Sequence, residues 1–387
     1  MPTIPSRIVD RYHLDASFVG VLVGIYAVGL IFVTPFISFF SDRFNNRKVP
    51  MLMGLVGLIT STLAFAYTDS FIGLAVARFG QGVSAGISWT IGLAMISDVY
   101  LPSELGSVMG WVLTANSFGF LIGPPLGGVM SQFISQEAPY LLCTGLALID
   151  LIGRLYIKPA IPSLEGEDED ERLLNSRSNS PTSLSPQRND SIYSFIDLQV
   201  IITCLAIIIS AGIFSGIEPT LPIYLAQVYN FNVSKIGALW LAIIFPNMIS
   251  GIVSGSLSDK YGRKNITAFG LFLFGISSIL VGFSYNIYTV IISLLLFGFT
   301  GGVAMTPSLP EFGDFAQERG GKSFAQAYAM YNVAYSIGMI FGPIIGGYLY
   351  ESVGFKYQML GFGIISIFTS PIVFYFWLIR KPKQSEE

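Results

Sequence analysis

Two ionisable side chains stand almost alone in apolar sequence, and they are the residues best placed to do chemistry. Arg78 is the only ionisable residue between Asp69 and Asp98. A guanidinium at membrane depth costs about 2.5–3.5 kcal/mol on insertion scales. It is therefore expected to face a wet cavity or a partner, or else to snorkel, since it lies within about two turns of a helix end. Glu218 sits beside Pro219 and Pro222, which break its helix. A carboxylate withdrawn from water resists ionisation and can exchange a proton near neutral pH; the alternative is that it meets water at a helix end. Asp150 and Arg154, four apart, are expected to pair on one helix face. Glu311 and Asp314 follow Pro307 and Pro310, where a helix is expected to unwind at the interface, with a gating role as the alternative.

Other chemistries find no support. His13, the only histidine, lies in the N-terminal segment and reads as solvated. Cys143 and Cys204 lie in apolar runs at no metal or redox spacing. No Ser/His/Asp or Cys/His nucleophile system can be assembled on a helix face, and no phosphate-binding glycine loop follows a strand. An enzyme, an ATP-driven pump, a bound cofactor and a metal centre are all unexpected on these grounds.

The elements that must position Arg78 and Glu218 follow from composition. The 387 residues are 52% hydrophobic and only 12% charged, about half the charged fraction of a soluble domain, so the chain cannot cover itself with polar surface. Apolar runs of about 18 or more residues read as membrane spans, and lipid offers no hydrogen bonds, so these spans are helices. Spans are expected near 17–40, 50–67, 71–97, 106–132, 138–158, 196–225, 235–257, 266–284, 286–307, 323–349 and 357–379. Between the fifth and sixth lies a long polar segment, 159–195, opening on an acidic run from Glu165 to Glu171 and continuing rich in Ser, Asn and Pro. It cannot bury a core and reads as a disordered linker.

Lysine and arginine positions orient the chain. Assigning loops alternately, Arg43, Arg47, Lys48, Lys158, Arg172, Arg177, Arg188, Lys260, Arg263, Lys264, Arg319, Lys322, Arg380, Lys381 and Lys383 share one side; Arg7, Arg11, Lys235 and Lys356 share the other. The linker and the tail 380–387 are therefore expected in the cytosol.

The chain also repeats itself. Shifted by 217 residues, Pro2 to Pro5 lie over Pro219 to Pro222, Tyr12 over Tyr229, Ser17 over Ser234, Gly20 over Gly237, and Asp42-Arg43 over Asp259-Lys260. In the second copy a helix from about Ile196 to Ile217 precedes this alignment, whereas Met1 already falls opposite Glu218. The expectation is a six-plus-six plan whose first span is missing, leaving eleven. Numbered on that plan, spans 2–6 form an N-terminal bundle over 1–158 and spans 7–12 a C-terminal bundle over 196–379.

Two motifs recur at equivalent places. After span 8 the chain reads Gly255, Asp259, Lys260, Gly262, Arg263, Lys264; after span 2 it reads Ser38, Asp42, Arg43, Asn45, Arg47. The first glycine admits a neighbouring helix, the acid suits a facing helix N-terminus, and Gly262 or Asn45 suits a left-handed helix end. These residues are expected to act as gating loops. In spans 5 and 11, Gly119, Gly123, Pro124, Gly127 and Gly128 match Gly338, Gly342, Pro343, Gly346 and Gly347. Glycines four apart give a flat face for close packing, and proline bends the helix, so these are elements that rock during alternating access.

Together these motifs, in a doubled six-helix plan, resemble the major facilitator superfamily over essentially the whole chain. The resemblance implies an all-α membrane fold of two pseudo-symmetric six-helix bundles, here with helix 1 missing, working as a secondary transporter. More narrowly, Arg78 with Gln81-Gly82, Ser107 to Gly110, Gly123-Pro124-Pro125, Glu218 to Pro222 and Tyr328 to Asn332 resemble the vesicular amine transporter branch and related drug/proton antiporters. That branch exchanges protons for organic cations through carboxylates in spans 1, 7, 10 and 11. Residue by residue, Glu218 matches the span-7 glutamate and Arg78 the span-4 arginine, while Met305 and Asn332 stand in the places of the span-10 and span-11 acids.

The resemblance thus implies proton-coupled antiport of a small organic cation or drug, with Glu218, Arg78, Gln81, Asn332 and Met305 around the substrate or proton. The departures at Met305 and Asn332 keep open a facilitative or differently coupled transporter of a neutral or anionic metabolite, and a non-transporting truncated product is the third alternative. The expected partners are a small-molecule substrate, protons and the lipid bilayer, with no nucleic acid, for a chain acting as a monomer. In the linker, Glu169 to Leu174 resembles an acidic dileucine sorting signal, which directs expectation to a vacuolar, endosomal or vesicular membrane, with the plasma membrane as the alternative; Asn232-Val233-Ser234 fits a glycosylation acceptor.

Overall fold

The computed structural model describes residues 15–44, 48–99, 102–156, 197–318 and 324–379, with only the backbone given at several helix ends next to the linker. Every regular element among them is a helix: α1 (Ala16–Phe44), α2 (Lys48–Tyr67), α3 (Phe71–Val99), α4 (Pro102–Phe133), α5 (Ala138–Tyr156), α6 (Leu198–Gly216), α7 (Thr220–Tyr229), α8 (Val233–Leu239), α9 (Leu241–Tyr261), α10 (Arg263–Gly282), α11 (Ile287–Met305), α12 (Ser308–Glu318) and α13 (Phe324–Ile379). Several of these are long and apolar enough to cross a bilayer, as the apolar runs require. The linker, the N-terminal segment with His13, Arg47 and the tail lie outside the described residues.

Helices cover the runs read as spans, with shifted edges, and proline explains the largest internal departures. The run from 196 to 225 is broken at 217–219, because Pro219 and Pro222 remove two backbone donors from the ladder. Beyond Met305 the chain does not unwind as expected. It resumes as α12, with Pro310 in the first turn, where backbone N–H groups have no helical partner to lose. α13 is two helices turned at Gly354, whose φ of 84° is open to glycine alone.

Helices pass back and forth between two ends, one where α5 leaves for the linker and α6 returns from it, here called the linker end, and one remote from it. Among helices after the linker, α13 packs on α6 and α10, and α11 packs on α9 and α10, around a core that includes Ile217, Leu221, Phe274, Phe297 and Met359. Among helices before it, α3 packs on α1 and α2. The two sets meet where α1 crosses α13 and α8 crosses α4.

These two crossings repeat one another. A Cβ on Gly20 would collide with the Pro343 carbonyl, and one on Gly237 would lie 2.5 Å from the Pro124 carbonyl. Gly347 opposes Ala16 and Ser17; Gly128 opposes Val233 and Ser234. All of these residues lie at the linker-remote end, and the residues that correspond in sequence correspond in contact. The two crossings are thus related as a pseudo-twofold relates them.

Not every motif glycine is packed. Gly338, Gly342 and Gly346 lie against α6 as expected, within contact of the Gly212 and Gly216 backbones. Gly119 and Gly123, however, have nothing within 4 Å, and Gly127 only the edge of Pro139. The helix that these α13 glycines pack on is α6, and among the described residues the N-terminal half has no equivalent of it. Gly255 likewise meets nothing, contrary to the close approach expected there.

Candidate functional site

α3 and α2 hold Arg78 in a fixed pose near the linker-remote end. The side chain is 7% exposed. Its Nη1 donates to Gln81 Oε1, one helical turn on, at 3.2 Å, and Gln81 Nε2 donates in turn to Thr62 Oγ1 of α2 at 3.3 Å. The guanidinium carbon stands 4.9 Å from the centre of the Phe65 ring, which packs on Tyr140 of α5 at 5.3 Å. Hydrogen bonds to one edge and an aromatic ring beneath its plane leave little rotational freedom to this cation.

Glu218 enters from the other half, in the turn between α6 and α7. Its backbone N–H donates to Ser215 O at 3.1 Å, a tight turn rather than a continuing helix. The side chain is partly exposed and lies within electrostatic reach of Arg78. Tyr26 of α1 feels both charges. Tyr335 of α13 feels Glu218 and Tyr26, and stacks on Tyr331 at 6.2 Å and 13°. One cation, one carboxylate and phenols from three helices thus lie within electrostatic range of one another's neighbours, although no described bond joins the carboxylate to the cation.

Arg78 and Gln81 are joined by a hydrogen bond, and Glu218 stands within electrostatic range of Arg78 with no described bond to either. Asn332 is exposed and Met305 half-buried, and no described bond joins either to the pair. Tyr26, Tyr140, Tyr335 and Thr62 were missed, because a tyrosine or threonine in an apolar helix carries no spacing signal of its own. Among the described residues no group of three or more His, Cys, Asp or Glu could hold a metal.

A second polar cluster lies at the linker end of α10 and α12. Glu311 is buried, 4% exposed. It accepts from Thr203 Oγ1 of α6 at 3.1 Å and stands 3.8 Å from Lys264 Nζ. Arg263 pairs with Asp314 at 2.9 Å and with Asp259 at 3.6 Å. Asp259 therefore takes a partner at its own corner, where a facing helix N-terminus was expected, because Arg263 lies one turn away across the Gly262 corner. Gly262 does have positive φ, 91°, but its ψ of 132° is not the left-handed helix end anticipated. Lys260 lies over the Tyr261 ring. The side chains of Asp42 and Arg43 lie outside the described residues. Elsewhere, Arg154 Nε bonds both oxygens of Asp150 at 3.0 Å as predicted, and Asn232 Oδ1 caps α8 by accepting from Lys235 N at 3.0 Å.

A helical, multi-pass membrane architecture in two repeated halves is the architecture of a membrane transport protein, and the family comparison bears on that class. The family model of the Major Facilitator Superfamily matches residues 1–245 and again 203–387, and the chain belongs to that family. An uncharacterized MFS-type transporter of Schizosaccharomyces pombe is 28% identical over 384 residues, covering 92% of this chain and 86% of the relative. The synaptic vesicular amine transporter of Homo sapiens is 27% identical, covering 99% of this chain and 70% of the relative. The solved structure of the nucleoside transporter NupG superposes with a TM-score of 0.76 at 12% identity, over 97% of this chain and 94% of that one, which is a likeness of fold. As in its relatives, the role is transport and not catalysis.

Proposed function

We propose that this chain is a proton-coupled antiporter of a small organic cation, with Glu218 as the exchanging carboxylate and Arg78 as the group that sets its ionisation. One observation supports the reading: two opposite charges from opposite halves lie within electrostatic range of each other, with Tyr26 in range of both, Tyr140 in range of Arg78 and Tyr335 in range of Glu218. A carboxylate beside a fixed guanidinium can give up its proton without leaving a lone buried charge, and the phenol rings offer π-faces and oxygens to an organic ammonium. Residues that join both halves are those whose occupancy can bias rocking between two conformations. The amine-transporting relative supports the substrate class. We further place the linker and tail in the cytosol, on the distribution of lysine and arginine, and the protein in a vesicular or vacuolar membrane.

Glu218→Gln tests the coupling. In sealed vesicles with an imposed pH gradient, uptake of an organic cation is expected to fall at least about tenfold while the protein stays folded and monodisperse. Gradient-driven uptake equal to that of the parent protein would overturn the assignment. The placement of Met305 and Asn332 where carboxylates stand in the amine branch favours one second reading, facilitative or differently coupled transport of a neutral or anionic metabolite, which counterflow insensitive to pH would reveal.

A further inference from the structure

We infer that Gln358 is a positioning residue for Glu218: from the return arm of α13 it holds the break between α6 and α7 on which that carboxylate is carried. The inference rests on Glu218 being the exchanging group. Gln358 is fully buried, 0% exposed, just beyond the Gly354 turn. Its Nε2 donates to Gly216 O at 3.1 Å and to Thr220 Oγ1 at 3.0 Å, the two residues that flank the Glu218 turn.

The backbone shows why the bond is needed. In an unbroken helix Gly216 O would accept from the N–H of residue 220. Here Thr220 N–H goes instead to Ile217 O at 3.3 Å, and Glu218 N–H to Ser215 O at 3.1 Å. The Gly216 carbonyl has lost its helical donor in the interior of a membrane protein, where an unsatisfied carbonyl is costly. Gln358 supplies the shorter replacement, at 3.1 Å, and the Thr220 hydroxyl a longer one at 3.5 Å. The neighbourhood is shaped to let Gln358 do so. A Cβ on Gly216 would stand 2.7 Å from the Phe362 ring, and one on Gly346 would stand 3.1 Å from Gln358 Nε2. Prolines alone permit the break; a donor from a third helix fixes its geometry, and with it the direction in which Glu218 leaves the chain. Without that donor the segment regains its hydrogen bond by rewinding Thr220 N–H toward Gly216 O, which rotates position 218.

The test reads the break directly and transport separately. In a background with Cys143 and Cys204 replaced by alanine, Glu218→Cys is labelled with a maleimide, with and without Gln358→Met. The expected change in labelling rate is about tenfold, the weight of one buried hydrogen bond. Thr220→Val, which keeps the Gln358 bond to Gly216 but removes the Thr220 hydroxyl from both partners, is expected to change it about threefold, and it carries the test if Gln358→Met does not fold. In transport, Gln358→Met is expected to flatten the pH dependence as Glu218→Gln does, and to add nothing when combined with Glu218→Gln. Labelling unchanged by both variants overturns the positioning role whatever transport shows. Altered labelling with Glu218→Gln transporting normally removes the coupling reading and leaves the positioning role standing.

Discussion

Glu351 closes over the first turn of α1 from the far side of the molecule, accepting from the Ser17 backbone N–H at 2.7 Å and from the Ser17 hydroxyl at 2.8 Å across 334 residues of sequence. At the other crossing Gln132 accepts from the Ser234 backbone N–H at 3.1 Å. Ser17 and Ser234 are repeat equivalents, and Gln132 and Glu351 each lie four residues beyond the last glycine of their motif. Each half therefore caps a helix of the other, once with a carboxylate and once with an amide.

The charged clasp is expected to be the stronger, since a carboxylate at a helix N-terminus makes charge-assisted hydrogen bonds and meets the positive end of the dipole. Both residues are exposed, so solvent screening holds the contribution to about 1 kcal/mol. Glu351→Ala is expected to shift the population toward opening at the linker-remote end by about fivefold, and Gln132→Ala by less. Reaction of Tyr26→Cys with an impermeant thiol reagent from that end reports the shift. Equal effects of the two substitutions would refute the asymmetry.

Arg78 and Glu218 are expected to behave as a pair in stability as well as in transport. Arg78→Gln leaves the carboxylate without its neighbouring cation and strands the bonds of Gln81, a loss of about 3 kcal/mol for a group this buried. Glu218→Gln costs less, because that side chain keeps some solvent. The double substitution is expected to recover at least about 1 kcal/mol relative to the sum of the two, a coupling read from unfolding midpoints in detergent. Strict additivity would show that the charges do not sense each other.

The motif glycines are expected to divide by their contacts. Gly342→Ala drives a methyl into the Gly212 backbone and toward Ser215 Oγ, 2.7 Å away, and is expected to destabilise by about 1–3 kcal/mol. Gly119→Ala meets open space and is expected to be neutral or to stabilise by up to about 1 kcal/mol, through helix propensity. Thermal midpoints of the two variants decide this, and a destabilising Gly119→Ala would overturn it.

Much of the site was legible because ionisable residues in apolar helices are few. Arg78 and Glu218 could be singled out by isolation alone, and the Asp150–Arg154 pair by spacing on one helix. The burial of Glu311 was not legible for the opposite reason. Its neighbours in sequence are prolines and charges that suggest an interface, while what buries it are Thr203 and Lys264 on other helices. Gln358 gave no signal, since a single amide in an apolar run reads as tolerated polarity until its two acceptors are seen.

The sequence by itself determined that the chain is a stack of apolar helices in two matching sets, because lipid leaves the backbone no other partner and a repeat is visible at any separation. Only the tertiary structure decided which glycines touch a neighbour, that Asp259 answers to Arg263, and that Ser17 is capped by Glu351. Burial of an apolar run is a sum over adjacent residues, and so is written locally. A hydrogen bond depends on a few ångströms between groups hundreds of residues apart, and spacing along a chain carries no record of that distance.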